Sequence, residues 1–367
     1  MTLAASPVHH RPLRVGFIGA GFMGTVHSRA ARAARATLYG ISGTSASAAD
    51  RAAEALGFEN AFGSAEALLA DPRIDLVHVV TPNAFHMEFA LAAIAAGKHV
   101  ICEKPLATST ADAEALVRAA QTAGVVAAVP FVYRFHPMVR EARMRVRRGY
   151  AGKLLTVQGS YLQDWLVSQS DDNWRVDDKL GGPSRAFADI GSHLCDLIEF
   201  ITSDRISRLM AVKRTAFSDR TTSRAITTED IAALLVETRT GAVGTILVSQ
   251  VAPGRKNRLH VELSGSVESI TFDQEEPETL WIGRRTGSEL VRRNPEELSE
   301  EAARLSVVPA GHPQGYQDAF NAFVADTYST IEGIARDGLP TFEDGLRAAS
   351  LTDAVLDSAR TGAWIET

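Results

Sequence analysis

The sequence predicts an α/β fold in which a doubly wound parallel sheet is followed by a second domain of mainly antiparallel strands. Three observations carry this. Short apolar strand-like runs alternate with helix-like runs from residue 13 to about 135, as a parallel sheet with crossover helices requires. From about Lys153, strand-like runs follow one another without intervening helices, which indicates antiparallel pairing. At 367 residues the chain is long enough to bury two cores.

The first element is LRVGFIGAGFMG, Leu13 to Gly24, an apolar strand running into glycines, with a helix expected from about Thr25. Gly19, Gly21 and Gly24 form G-x-G-x-x-G. Gly19 permits a tight turn, Gly21 lets backbone approach a pyrophosphate, and Gly24 allows close helix–strand packing. A helix N-terminus then offers free N–H groups and partial positive charge to that pyrophosphate. A plain glycine turn is the bland alternative. Its place after a strand, at the head of a βα series, favours a dinucleotide site.

The series continues with a strand over Ala36–Ser42, a helix over Ala46–Leu56 and the buried strand DLVHVVTPN. A helix over His86–Ala96 stops at Gly97, and the strand HVICEKP follows. A helix over Thr110–Ala123 stops at Gly124, before a further strand, VVAAVPFVYRF. The basic run Arg140–Arg148 reads as one solvated helix face or an interface edge. Ser42 to Ser45, Thr81-Pro82-Asn83, Glu103-Lys104-Pro105 and Tyr133-Arg134 all follow strands. They fall on the carboxyl edge, where such sheets bind ligands. The second strand ends in Ile41-Ser42-Gly43-Thr44-Ser45, without the carboxylate that selects NAD by repelling a 2′-phosphate. The expected cofactor is therefore NAD(P). Arg51 can approach a phosphate but reads as a surface residue.

In the second half, LLTVQGSYLQDWL alternates like a half-exposed strand. IAALLVETRTGAVGTILVSQV reads as two strands with a Thr-Gly turn, and RLHVELSGSVESITFD as a hairpin turning at Ser264-Gly265. Helices over Tyr316–Ala335 and Phe342–Ser358 close the chain. Before the strands lies ADIGSHLCDLIEF, 188–200, in which Asp189 and His193 interrupt an apolar run. The bland reading is a helix-capping Asp and a buried His. The alternative is a pair of reactive groups four residues apart on one helix face.

Composition narrows the class. Hydrophobic content of 45% and charged content of 22% are those of a soluble globular protein. A net charge of −6 argues against a nucleic-acid binder. The two cysteines, Cys102 and Cys195, have no metal-ligand spacing and make no disulfide framework, so the expectations are no metal and a reducing cytoplasm. MTLAASPVHHRPL lacks an apolar h-region and reads as a short disordered lead, and no run is apolar enough to span a membrane.

GAGFMG at 19–24, TPNAFH at 81–86, EKPLA at 103–107, VYRFHP at 132–137 and GGPSRAFADIGSHLCD at 181–196 occur in that order. Together they resemble the glucose–fructose oxidoreductase / inositol dehydrogenase family, Gfo/Idh/MocA. The resemblance implies an N-terminal Rossmann domain over 12–135. It implies a C-terminal α+β domain over 136–367 with an open-faced, mainly antiparallel sheet, and closing helices that pack back on the first domain. It also implies a homo-oligomer, dimer or tetramer, through that sheet face. Lys104 matches the lysine of the family's E-K-P loop, and Asp189 and His193 match its D-x-x-x-H pair. Pro105 matches a proline usually in cis, which aims Lys104 into the cleft. Asn83 and His86 match a loop near the nicotinamide. The expected cofactor-binding residues are Gly19, Gly21, Phe22, Met23, Gly24, Ser42, Thr44, Ser45, Thr81, Pro82, Asn83, His86, Glu103, Lys104 and Pro105. Val132 stands where the family often has Asn, which bears on substrate contacts, and Cys195 where an aliphatic residue is common.

The implied chemistry is oxidation of a secondary ring hydroxyl of a sugar, anhydrosugar or cyclic polyol. The nicotinamide takes the hydride, and the protein supplies a base and positive charge for the alkoxide. His193 is the expected base and Lys104 the cation. Asp189 orients the imidazole, holds Lys104 or binds a neighbouring hydroxyl. Lys104 as base is the variant reading. Aromatic rings with polar partners suit a hydroxyl-rich ring. The substrate candidates are therefore Tyr133, Arg134, Tyr161, Gln163, Asp164, Trp165, Trp174, Arg175, His312, Gln314 and Tyr316, against the bland reading of core tryptophans and a helix-starting histidine. Arg175 and Arg185 leave an anionic sugar open. Two other classes stand beside the dehydrogenase: a nucleotide-binding regulatory or sensor protein, and a redox-neutral enzyme with transient cofactor reduction.

Overall fold

A computed structural model of the chain describes residues 11–367, so the N-terminal lead lies almost wholly outside the described residues. The first unit runs β1 (Arg14–Ile18), α1 (Phe22–Ala33), β2 (Thr37–Ser42), α2 (Ala46–Leu56), β3 (Asn60–Phe62), α3 (Ala65–Leu69), β4 (Leu76–Val79), α4 (His86–Ala95), β5 (His99–Cys102), α5 (Thr110–Ala123) and β6 (Ala127–Ala128). The sheet order is β3-β2-β1-β4-β5-β6, all parallel, with the strand order reversing between β1 and β4. That reversal opens a crevice at the carboxyl edge between β1 and β4. Ser45, Ser64 and Ser109 cap α2, α3 and α5, and Gly57 and Gly124 end α2 and α5 in the left-handed conformation.

Four local expectations are corrected here. α1 begins at Phe22, not Thr25, because Gly21 serves as its N-cap and Gly24 is helical. β3 and α3, too short to show a period, are additional. The strand expected over 125–135 pairs only at Ala127–Ala128; Pro130 lacks a donor, and the chain turns into a 3₁₀ turn over Val132–Phe135. The basic run is solvated only at its end, Arg147 and Arg148. It lies on α6 (Pro137–Arg147), where Arg140 is 2% exposed, stacks on Phe135 and Phe200, and donates to the Arg134 and Asp337 carbonyls. Arg145 pairs with the buried Glu268.

The second unit continues with β7 (Leu154–Leu162), α7 (Asp178–Gly181), α8 (Ser192–Thr202), β8 (Ile206–Arg214), β9 (Ile231–Thr238), β10 (Val243–Ser249), β11 (Arg258–Gly265), β12 (Ser269–Asp273), β13 (Thr279–Arg284), β14 (Gly287–Arg292), α9 (Glu300–Arg304), α10 (Tyr316–Ile331), α11 (Phe342–Thr361) and β15 (Ile365–Glu366). The sheet order is β14-β13-β12-β11-β7-β10-β9-β8-β15. Only β7 and β10 pair in parallel. The β11–β12 hairpin turns at 266–268, just past the expected Ser264-Gly265, both of which remain in β11.

α6, α8 and α11 cover one face of this sheet, with Leu194, Ile198 and Val355 packed among Val157, Leu234 and Val261. The other face leaves Val212, Leu235, Val243, Leu247, Trp281 and Leu290 exposed. The last two helices return to the first unit. Phe320, Phe323 and Val324 of α10 join Val26 and Ala30 of α1 in one core, and Phe342 and Ala348 of α11 join Leu116 and Val117 of α5 in another. No helix among the described residues is long and apolar enough to cross a membrane, and no group of His, Cys, Asp and Glu there has metal-ligand geometry.

Candidate active site

A cleft of about 1460 Å³ runs from the β1 glycine loop, across the carboxyl edge of the parallel sheet, to β7 and the start of α8. The three glycines have separate reasons to be glycine. Gly19 has φ +109°, and a Cβ there would sit 2.6 Å from the Val80 carbonyl oxygen. At Gly21 nothing lies within 4 Å of a Cβ; that space is the cleft itself. At Gly24 a Cβ would press on the Gly19 carbonyl oxygen at 3.3 Å. Backbone, ligand and packing thus each claim one position. The α1 N-terminus has no side-chain cap, so its first N–H groups are free to meet a pyrophosphate beside Phe22 and Met23. These residues fit a dinucleotide.

Ser42 and Thr44 line the next part of the wall, with Glu66 from α3. Ser45 does not line it, because its hydroxyl caps α2 by accepting from the Ala48 N–H at 3.2 Å. Arg51 is an exposed residue of α2. Thr81, Pro82, Asn83 and His86 line the middle, where the Thr81 hydroxyl is buried without a partner. Asn83 reaches across to donate to the Gly181 carbonyl at 2.9 Å. His86 is a buried strut whose ring nitrogens lie 2.7 Å from the Pro105 carbonyl and 2.9 Å from that of Thr81. The Lys104–Pro105 peptide is cis. Pro105 and Gly24 sit just behind the wall and are not part of it.

Lys104, Asp189 and His193 all line this cleft, with Glu103 beside them. Lys104 Nζ donates to Asp189 Oδ1 at 2.5 Å and to the Asp189 carbonyl at 2.9 Å. Asp189 Oδ2 accepts from Gln250 Nε2 at 2.9 Å, and the Arg175 guanidinium lies 3.6 Å from Oδ1. Burial alone would raise the Asp189 carboxyl, but the Lys104 ammonium and Arg175 hold it well below the usual carboxylate range. Burial, reinforced by the Lys104 charge, drives the His193 imidazole down to about 3. It is therefore neutral, and its buried Nδ1 has no hydrogen-bond partner.

Asp189 is not a helix cap. It sits in a π-helical turn, Phe187–Gly191, that runs into α8, and its N–H already donates to the Arg185 carbonyl at 2.8 Å. That turn is capped from the segment before β9: Glu229 Oε1 accepts from Ser184 Oγ and from the N–H groups of Arg185 and Phe187. Gly191 is required there, since a Cβ would meet the Phe187 ring at 2.4 Å.

The far wall is a polar network. Tyr133 and Tyr161 share a hydroxyl contact of 2.5 Å, and Tyr161 and Gln163 both donate to Asn257 Oδ1 at 2.8 Å. Tyr316 completes this wall. Asp164 lines the rim and pairs with Lys256. Arg175 stacks on Trp174 at 4.5 Å and on Trp165 at 5.9 Å.

Three of the substrate candidates lie elsewhere, and so do Arg185 and Val132. Arg134 is spent on an ion pair with Asp196 and another with Asp344 at 2.7 Å. His312 is exposed, away from the cleft. Gln314 is buried against the Leu305 carbonyl and the Val307 N–H. Arg185 is fully buried on Asp230, so it cannot meet an anionic ligand. Val132 belongs to the core behind the cleft. Gln250, Lys256 and Asn257 are not legible as site residues: the first follows β10 and the other two stand in the polar loop before β11, where no spacing marks them.

A family model described as an oxidoreductase family with an NAD-binding Rossmann fold matches residues 13–131, and the GFO/IDH/MocA C-terminal domain matches 139–271. Levoglucosan dehydrogenase of Pseudarthrobacter phenanthrenivorans is 30% identical, over 96% of this chain and 98% of that protein. A solved structure of levoglucosan dehydrogenase in complex with NADH and levoglucosan superposes with a TM-score of 0.91 at 29% identity, covering 97% of this chain and 99% of that one. An inositol dehydrogenase homolog from Azotobacter vinelandii, complexed with NADH and myo-inositol, gives a TM-score of 0.85 at 25% identity, covering 97% and 98%.

Proposed function

The chain belongs to the Gfo/Idh/MocA oxidoreductase family, and from that premise we propose an NAD(P)-dependent dehydrogenase that oxidises a secondary ring hydroxyl of a sugar, anhydrosugar or cyclic polyol. One observation carries the reading: Lys104 of the parallel-sheet unit and Asp189 with His193 of the other unit line a single cleft continuous with the glycine loop. Bound nicotinamide supplies the hydride acceptor. The chain's own residues handle the proton and the charge. Lys104 has three donors, and the Asp189 carboxylate and carbonyl take two, leaving one for a substrate hydroxyl. Its two acceptors on Asp189 fix the Lys104 amine at the cleft wall, where its remaining donor can stabilise an alkoxide. The neutral His193 offers a lone pair and is assigned as the proton acceptor; burial and the Lys104 charge oppose its protonation, and the negative charge that grows on the substrate oxygen favours it. Asp189 positions Lys104 and offsets its charge. The tyrosine–amide wall and the Trp165–Arg175–Trp174 stack supply the apolar faces and hydrogen bonds that a polyhydroxylated ring needs. A purely regulatory nucleotide binder has no use for this trio, and the redox-neutral alternative has no observation in its favour.

Incubation with levoglucosan, aldoses and inositols, each with NAD⁺ and NADP⁺, tests this through the absorbance of the reduced cofactor. Reduction with at least one compound is expected. Protein that binds cofactor yet reduces none of it overturns the dehydrogenase reading, and product without net reduction points to the redox-neutral one.

The exposed apolar face of the nine-stranded sheet supports a homo-oligomer seam, since such a patch signals association. Val212, Leu235 and Leu247 would be buried in it. Light scattering is expected to give a multiple of 39.4 kDa, reduced by Leu235→Glu; a wild-type monomer contradicts the seam.

A further inference from the structure

Two histidines that the proposed chemistry does not use are buried side by side in the first unit. His27 of α1 and His78 of β4 are both 0% exposed. Their Nδ1 atoms lie 2.9 Å apart. His27 Nε2 lies 3.0 Å from Glu103 Oε1, and His78 Nε2 lies 2.9 Å from the Tyr328 hydroxyl of α10. At the other end, Glu103 Oε2 accepts from the Lys104 N–H at 3.0 Å. Phe17 stacks on His78 at 4.3 Å and Phe320 packs on His27 at 4.6 Å, and among the described residues the four ring nitrogens have no other polar partner.

Neutral histidines can satisfy this chain in one direction only. An ionised Glu103 only accepts, so His27 carries its hydrogen on Nε2 and presents a lone pair at Nδ1. His78 must then carry its hydrogen on Nδ1 and present a lone pair at Nε2. Tyr328 completes the sequence by donating to that lone pair. Every donor points toward Glu103.

We propose that Tyr328, His78 and His27 form a one-way chain of hydrogen-bond donors that holds Glu103 ionised in the cleft wall and fixes the Lys104 backbone, making His27 and His78 positioning residues for the E-K-P loop. The link to Lys104 rests on the proposed function; the chain of donors does not. Glu103 is 6% exposed, and a carboxylate so buried stays charged only with good donors. The groups that face it are His27 from α1, His86 from α4, His193 from α8, Tyr316 from α10, and its neighbours Cys102 and Lys104. Burial would raise Glu103, and the His27 hydrogen bond is the largest of the effects that bring it below its ordinary value. Its charge in turn supports proton acceptance by His193.

Histidine-selective ¹⁵N NMR of the wild-type protein reads the tautomers without any substitution. The expected result is Nε2–H at His27 and the less common Nδ1–H at His78; the opposite tautomer at either ring, or an imidazolium, overturns the proposal. His27→Leu deletes the donor to Glu103, whereas His27→Gln keeps an N–H near the Nε2 position. In the leucine variant Glu103 takes up a proton at higher pH, so kcat/KM is expected to fall about tenfold at neutral pH and recover as pH rises. The glutamine variant is expected to follow the wild-type profile. A leucine variant that folds and keeps the wild-type pH profile overturns the positioning role even if the tautomers are as stated. Absence of turnover in wild-type protein counts against the dehydrogenase reading, and the tautomers then decide the donor chain alone.

Discussion

Lys104→Met is expected to lower turnover by ~10³-fold while the dissociation constant of the nicotinamide cofactor changes by less than about threefold. Methionine keeps an unbranched stem of similar length and removes only the ammonium. That ammonium has one donor free after Asp189 takes two, and it sits in a largely buried cleft where its charge is weakly screened. Its loss removes stabilisation that grows as an alkoxide forms, so kcat falls more than KM rises. Pyrophosphate binding depends on Gly19, Gly21 and the α1 N-terminus, which the substitution leaves intact. His193→Asn removes the proton acceptor and is expected to cost ~10²–10⁴-fold in kcat, again with cofactor affinity preserved. Steady-state kinetics and fluorescence titration of the cofactor check both. A variant that keeps wild-type turnover removes its residue from the mechanism.

Asp189→Ala is expected to act on stability as well as rate. The carboxylate is the shared partner of Lys104, Gln250 and, at longer range, Arg175. Its removal leaves an ammonium and a buried amide unpaired, which costs about 3 kcal/mol, the low end for a broken buried pair because the cleft is partly open. Asp189→Asn keeps an acceptor for Gln250 and is expected to lose less stability but most of the turnover. Both effects have a pH signature. The folded-state pKa of Asp189 is depressed, so its contribution is present above about pH 4 and is lost as pH falls below that. The folded value of His193 is also depressed, to about 3. An unfolded histidine binds its proton near pH 6.5, so stability declines as pH drops from there toward 3. Denaturant unfolding at pH 7, 5.5, 4 and 3 is expected to show a steady loss in wild-type protein. In Asp189→Ala the further loss below pH 4 is expected to be smaller. A loss from pH 7 to pH 4 that His193→Asn leaves undiminished contradicts the neutral, desolvated His193.

What the sequence made legible follows a physical division. The glycine loop can be read because a turn, a ligand approach and a helix contact each forbid a Cβ at fixed spacing. The helices with serine caps and terminal glycines can be read to within a residue or two because those caps are local. Lys104, Asp189 and His193 stand out because each interrupts an apolar run or ends a strand in a recognisable motif, and they meet in one cleft. Tertiary partnership is not legible in this way. Arg134 and Arg185 look like free cations, yet each is neutralised by an aspartate distant in sequence, Asp196 for one and Asp230 for the other. Asn257 and Gln250 enter the site only because β7, β10 and β11 lie side by side. The π-helical turn beneath Asp189 is set by Glu229 from the segment before β9, which no local pattern announces.

The central claim is spatial: a lysine of the parallel-sheet unit and a histidine of the other unit share one substrate oxygen. A crystal structure of the protein with reduced nicotinamide and a sugar or polyol that it turns over tests this most directly. The account predicts one ring hydroxyl within hydrogen-bond distance of both Lys104 Nζ and His193, with its carbon facing the nicotinamide C4. A ring bound with that hydroxyl against other residues, or with Lys104 and His193 turned away from it, would contradict the account.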